Sequence, residues 1–453
     1  MSILQPQRIG DRHRICPMPS RSSVLSGLVL LLAVACPMSI PARAAQAIEQ
    51  SAQERPANAA TPLSQLVKEA GQNNPEILAA RRQWQAATQV PSQVSTLPDP
   101  QVNVQNVSAG TPLPMDGFSS VQMAYLGFGV SQSIPYPGKL RLRGEIAHRK
   151  ADTLQQRADS VRRSVIEKVK TAYFRLSYVQ QTLSILNKDE KLLGQIEKIA
   201  EARYRVGQGN QQDVLKAQLQ QTKLLRDATQ YREQMQTLQA QLKQLLNRPQ
   251  DSADITTEKL TETRLPFSSD DLLSAVRTGN PEVGARHEMV QGHSLQVELA
   301  KKDFYPDFNV QYLYQHTSAR FPERYMLSVG VKIPIYRSRR QRPEVAEAAE
   351  QLNSARRAYE AQVQQTYFEV RDQYLVADSD SKVLRIYREG LIPQATATFH
   401  AGLAAYQSAQ QDFQSLLDSF LDVFNLDVEY WRTLAEHETA LAKLEQLTGI
   451  QIP

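Results

Sequence analysis

The chain has 453 residues, 41 % of them hydrophobic, with a net charge of +5 and a mean hydropathy of −0.44. That length suffices for two or three ordinary domains, and beyond the first 45 residues no apolar run is long enough for a helical membrane span. Several of the excess positive charges lie near the N-terminus, so the balance gives no reason to expect nucleic acid as a partner.

Residues 1–44 read as an export signal. Arg8, Arg12, Arg14 and Arg21 precede the apolar run Val24–Cys36, and small residues follow. Two processing readings stay open. One is cleavage at Ala42-Arg43-Ala44, before Ala45. The other is a lipid on Cys36, behind Ala33-Val34-Ala35, although Pro37 counts against it. Cleavage before Ala45 removes both cysteines and leaves no thiol for a disulfide or a metal. Residues 45–60 are polar and poor in aromatic side chains, a flexible lead-in.

The remainder is written twice. Leu66–Arg81 aligns with Leu272–Arg286, placing Asn74 on Asn280, and further matches set Pro98 on Pro306, Pro135 on Pro334, Tyr173 on Tyr367 and Tyr204 on Tyr406. The matches keep the same order, and their offset drifts between 194 and 208 residues, as small insertions would produce. Two repeats, 61–247 and 269–450, are therefore expected, with 248–268 between them.

Each repeat opens on a helix at Asn-Pro-Glu, where Pro suits the first turn and Glu the positive helix start. These helices are expected to run to about Val94 and to Lys302. Two strands follow in each repeat, about 99–109 and 119–134 in the first, about 306–317 and 324–336 in the second. Alternation such as Val102/Val104 against Gln101/Asn103/Gln105 is a two-sided strand pattern. Each second strand meets a hinge, Pro135, Pro137, Gly138 and Lys139 in one repeat, Pro334 and Arg337 in the other, where strand pairing stops. The basic hinge residues are expected to stay in water.

From Leu154 and from Val345 the apolar spacing changes to about 3.6 residues, and after Gly207 the run Ala217 to Leu245 alternates steps of four and three, as coiled-coil seams do. Asn187-Lys-Asp-Glu and the Gly390/Pro393 pair are expected kinks. The helices turn back at two tips. Tyr204, Gly207, Gly209, Asn210 and Asp213 form one, with Asn210 read as an N-cap and Asp213 as its reciprocal acid. Tyr406, Ala409, Asp412, Ser415 and Asp418 form the other, with Asp412 the matching cap.

Four strands of this length can cross an outer membrane but cannot close a barrel, and an open edge in lipid leaves backbone groups unpaired. A cyclic trimer sharing one twelve-strand barrel solves this. A soluble coiled-coil scaffold with hairpins packed on its own helices is the runner-up. No catalytic set emerges: the seven histidines are scattered, and phosphate-loop, G-x-S-x-G and His-pair motifs are absent. The reading is not an enzyme, with no cofactor and no dedicated metal site.

The doubled Asn-Pro-Glu, "YRVGQGNQQDVLKAQ", "YQSAQQDFQSLLDS" and the closing "LEQLTG" resemble the TolC-like outer-membrane efflux proteins over Pro62 to Ile450. "LPDPQ" with "GFGVSQSIPYPGKLRLRGEIA" looks most like their heavy-metal-efflux branch. The resemblance implies a mainly α fold with membrane β: a homotrimeric twelve-strand β-barrel in outer-membrane lipid, continued by a twelve-helix periplasmic coiled-coil tunnel. Residues 248–268 would supply an equatorial belt. It implies a passive exit duct served by a periplasmic adaptor (membrane fusion) protein and an inner-membrane RND-type transporter. Drug efflux or type I protein secretion by the same fold remains an alternative. It further implies a periplasmic gate at the tips, with Asp418 the acid, Ser415 and Asp412 beside it, and Arg203 or Arg205 as partners holding it shut.

Overall fold

The structure is a computed structural model that describes residues 60–452; the export signal and Cys36 lie outside them. The first repeat runs α1 (Leu63–Asn73), α2 (Pro75–Ala87), α3 (Val90–Ser95), β1 (Gln101–Val107), β2 (Tyr125–Ile134), α4 (Lys139–Arg205) and α5 (Gln211–Leu245). The second runs α6 (Ser269–Gly279), α7 (Pro281–Lys302), β3 (Asp307–His316), β4 (Arg324–Lys332), α8 (Gln341–Ile386), a π-helical turn (Tyr387–Leu391), α9 (Ile392–Gln407) and α10 (Phe413–Thr448). Among the described residues no helix is long and apolar enough to cross a membrane.

Asn-Pro-Glu opens a helix in both repeats, but each asparagine also ends a helix before it, α1 or α6, that the sequence reading did not separate. Asn74 Oδ1 accepts from Glu76 N and Ile77 N, while its Nδ2 donates to Leu245 O at 2.9 Å. Asn280 repeats this, accepting from Val283 N and donating to Leu447 O at 2.8 Å. Both are buried. One side chain thus caps a helix start and satisfies a carbonyl at the far end of the same repeat, two groups the helices leave orphaned.

Several boundaries differ from expectation. The first Asn-Pro-Glu helix ends at Ala87 and restarts as α3, because Pro91 in the first turn has no N–H to continue the ladder. β2 starts at Tyr125 rather than 119, since Asp116 folds the preceding loop by accepting from Thr111 N and Oγ1. β4 ends at Lys332, two residues before Pro334. The long helix α4 passes through Asn187 unbroken, 67 residues and about 100 Å at 1.5 Å each. At Gly390/Pro393, where a kink is expected, the rod takes a π-helical turn over Tyr387–Leu391.

The four strands form one antiparallel meander in the order β1-β2-β3-β4. Val102, Val130 and Tyr312 stand in register across it, as do Val104, Phe128, Tyr314 and Tyr325. The alternate set, Gln101 with Ser131 and Gln311 with Ser328, lies on the other face. One face of the sheet is therefore largely apolar and the other, apart from Leu313 and Met326, largely polar, and the apolar one is bare: Val102 is 75 % and Leu327 69 % exposed.

Helices α5, α4, α10 and α8 lie side by side in that order. α5 and α8, at the flanks, line a single hollow of about 700 Å³ together with α4 and α10, so the helical layer is concave there. The 248–268 segment is tied to all four helices by side-chain clamps. Gln239 accepts from Ile255 N and donates to Ile255 O, at 2.9 and 2.7 Å. Gln180 Oε1 accepts from Thr257 N and Oγ1. Buried His437 sets its two ring nitrogens against Ala377 O and Thr263 O, at 3.0 and 2.9 Å.

Candidate functional site

The residues singled out in the sequence gather at two places, the helix tips and the strand–helix hinges. At the first tip Gly207 takes φ +71° to end α4, and Asn210 Oδ1 caps α5 by accepting from Gln212 N. Gly209 is required by closeness, not by φ: a Cβ there would lie 3.1 Å from Arg203 Cβ and from Tyr204 N. At the second tip Ala409 adopts φ +62°, the conformation glycine supplies at Gly207. Asp412 caps α10, accepting from Ser415 N at 2.9 Å and Ser415 Oγ at 2.7 Å, and these bonds hold its carboxyl below the usual range.

The tips are joined by Arg203. Its guanidinium lies 4.4 Å over the Tyr406 ring and donates to Tyr406 O at 2.5 Å and to Gln208 O at 3.0 Å. Asp213 does not reciprocate the Asn210 cap. Its carboxylate instead accepts from the Tyr406 hydroxyl at 3.5 Å. Burial, and the Asp213 charge beside it, push the Tyr406 phenol up. Asp418 is exposed and accepts from Gln414, whose Oε1 accepts from Lys216 Nζ. Within one chain the structure brings Asp418 to neither arginine: Arg203 is committed to Tyr406, and Arg205 pairs with Glu201. Tyr204, the counterpart of Tyr406, is 47 % exposed where Tyr406 is buried.

The hinges differ as sharply. Gly138 takes φ +92° and lets α4 start directly after the strand. Lys139 is not in water, contrary to the sequence expectation. It is 3 % exposed, and its Nζ meets Asp303 at 3.0 Å and Asp307 at 2.9 Å. Asp307 also accepts from Tyr136 N at 2.9 Å, and Tyr136 stacks on Tyr305 at 4.5 Å under Lys302. In the second hinge Ile333, Ile335 and Tyr336 are exposed, and among the described residues Arg337 donates only to its own turn, at Pro334 O.

Sequence reasoning missed the Lys139 cluster, the Arg203–Tyr406 link, the asparagine clips and one buried acid. Asp189 in α4 sits between Leu186 and Leu193 in the apolar seam, and burial pushes its carboxyl up to about 6, with Asp427 of α10 adding repulsion and Lys188 opposing it. The doubling of Asn-Pro-Glu was the one signal that could have pointed to the clips. An acid in a heptad-like register was the signal for Asp189.

The sequence model of the family described as outer membrane efflux protein matches residues 66–248 and 272–449, one match in each repeat. Among curated proteins, none matches the chain in sequence. Solved structures share the fold at low identity. The outer membrane protein VceC of Vibrio cholerae superposes with a TM-score of 0.74 at 16 % identity, over 86 % of this chain and 97 % of that one. The Campylobacter jejuni CmeC outer membrane channel gives 0.73 at 14 %, over 85 % of each chain. The open state of the Neisseria gonorrhoeae MtrE outer membrane channel gives 0.71 at 17 %, over 85 % and 88 %. With both halves of the duplicated chain matched, this protein belongs to the outer membrane efflux protein family, whose members are not enzymes but outer-membrane channels continued by a helical tunnel in the periplasm.

Proposed function

We propose that three copies of the chain form the passive exit duct of a tripartite efflux system, with a shared twelve-strand barrel in the outer membrane and a twelve-helix periplasmic tunnel. The observation that carries this reading is the four-strand sheet with one bare apolar face, one polar face and two open edges. Such a sheet cannot sit alone in lipid. Closed by three-fold repetition it has lipid outside, water inside and no edge. The duct itself needs no energy source; an inner-membrane transporter of the RND type drives the cargo, and a periplasmic adaptor seals the join.

For the cargo we favour cations, heavy metals first, on the branch resemblance of "LPDPQ" and "GFGVSQSIPYPGKLRLRGEIA". One Asp418 per subunit would set three carboxylates at the periplasmic mouth, a ring that favours cations over anions. Arg203, anchoring α4 to Tyr406 across the two tips, is the link that keeps the helices from splaying.

Deleting the protein should lower tolerance to at least one of zinc, cobalt, cadmium, copper and silver. Unchanged metal tolerance with lost drug tolerance would turn the reading to drug efflux. In planar bilayers Asp418→Ala should lower cation selectivity of the purified channel, and Arg203→Ala should raise its conductance. A mature protein that washes off membranes without detergent would sink the duct and favour the soluble scaffold.

A further inference from the structure

The two repeats are superimposable in register, not only in sequence. Gln101 pairs with Ser131 in the first, and Asn309 pairs with Gly330 in the second. Shifting β1 by 208 and β2 by 199 residues, the offsets of the proline matches, turns the first pair into the second. The junction between the repeats, β2 against β3, is also known in full: Ser133 pairs with Asn309. The same shifts convert that junction into one the chain cannot make with itself, β4 against β1, with Lys332 opposite Gln101.

Resting on the trimer reading above, we infer that β4 and the second hinge of one copy are completed by β1 and Asp99 of the next, in the register that pairs Lys332 with Gln101 of the partner subunit. Three observations converge on it. The register sets Val331 against Val102 of the partner subunit and Val329 against Val104 of the partner subunit, so the bare apolar face continues across the join. A one-residue slip would put polar side chains into lipid.

Second, the polar contact of the first hinge has its missing halves in place. There Asp307 accepts from Tyr136 N. The shifted counterparts are Asp99 and Ile335. Asp99 is exposed, and among the described residues it has no partner and the Ile335 N–H has no acceptor. The arginines of the second hinge supply the positive charge that Lys139 supplies in the first. Third, the stacked pair Tyr136 and Tyr305 corresponds to Ile335 and Leu97, two large apolar side chains left 71 % and 47 % exposed. Each is what the other would cover.

Cysteine pairs test the register, since directly opposed strand positions hold Cα atoms within disulfide range. The only native cysteines are Cys16 and Cys36, and a Lys332→Cys single variant controls for them. In trimers purified in detergent, Lys332→Cys with Gln101→Cys should oxidise to a covalent trimer on denaturing gels. The internal control Ser133→Cys with Asn309→Cys should close within one chain and stay monomeric. Stronger linking of Lys332→Cys to Asn103→Cys, or no ladder from an intact trimer, would overturn this register while leaving the trimer standing. A protein that is monomeric by light scattering in detergent would overturn both. Asp99→Ala should lower the temperature at which the trimer dissociates; an unchanged temperature would remove Asp99 from the junction.

Discussion

The first hinge, Pro135–Lys139, ends on partners inside the chain; the second, Pro334–Arg340, ends in solvent. Both follow a strand of the same register and precede a helical rod of equal length, 67 residues in α4 and 67 across α8, the π turn and α9. Yet Lys139 is buried between Asp303 and Asp307, whereas Ile335 is 71 % exposed. A duplicated unit repeated around an axis makes two kinds of junction, and a single chain can satisfy only one of them. On the trimer proposed above, the exposed hinge is a half-junction whose counterpart lies in another copy.

The largest effect expected from this contrast is at Lys139. Lys139→Met leaves two carboxylates without their cation and should cost about 3 kcal/mol in denaturant unfolding, at the low end for a buried pair because the aspartates keep part of their hydration. Arg337→Met, in the open hinge, should cost under about 1 kcal/mol in the same measurement. Equal losses at both positions would erase the distinction between a closed and an open hinge.

The seam where the repeats meet through α4 and α10 offers a second test. Burial raises Asp189 to about 6 from 3.8, so the folded chain binds its proton more tightly than the unfolded chain. The site then opposes folding above pH 6, and that penalty fades as pH falls toward 3.8. Two pK units amount to about 3 kcal/mol at most. Asp189→Asn should therefore raise the unfolding midpoint at pH 7 and do nothing at pH 4. A gain that is the same at both pH values would place its origin elsewhere.

Symmetry itself is tested by the asparagine clips. Asn74→Ala and Asn280→Ala each remove a cap and a long-range hydrogen bond, about 2 kcal/mol apiece. Their losses should match within about 0.5 kcal/mol, the scatter of independent sites. The smallest effect concerns the tips. Gly207→Ala should destabilise by about 1 kcal/mol, and Ala409→Gly should stabilise by a few tenths up to about 1 kcal/mol, because the left-handed backbone at Ala409 strains its Cβ. Calorimetry of the two variants should give shifts of opposite sign.

Much of the architecture was legible in the residues. The doubled Asn-Pro-Glu marked two repeats, the change of spacing after Leu154 and Val345 marked the rods, and Val102/Val104 against Gln101/Asn103 marked a two-sided strand. Each of these is local: a period of two or of 3.6 and a proline's missing N–H act on neighbouring residues, so they can be read along the chain. What needed the tertiary structure were contacts between residues far apart in sequence. Lys139 and Asp307 are 168 positions apart, Arg203 and Tyr406 203, and Asn74 and Leu245 171. A lone lysine in a basic stretch reads as solvated until two aspartates, one just past the end of α7 and one at the start of β3, meet it, and an arginine beside a tip reads as a partner for any nearby acid until one aromatic ring claims it. Charge pairing falls off within a few ångströms, and the distance between two side chains is set by how the helices pack rather than by their places in the chain.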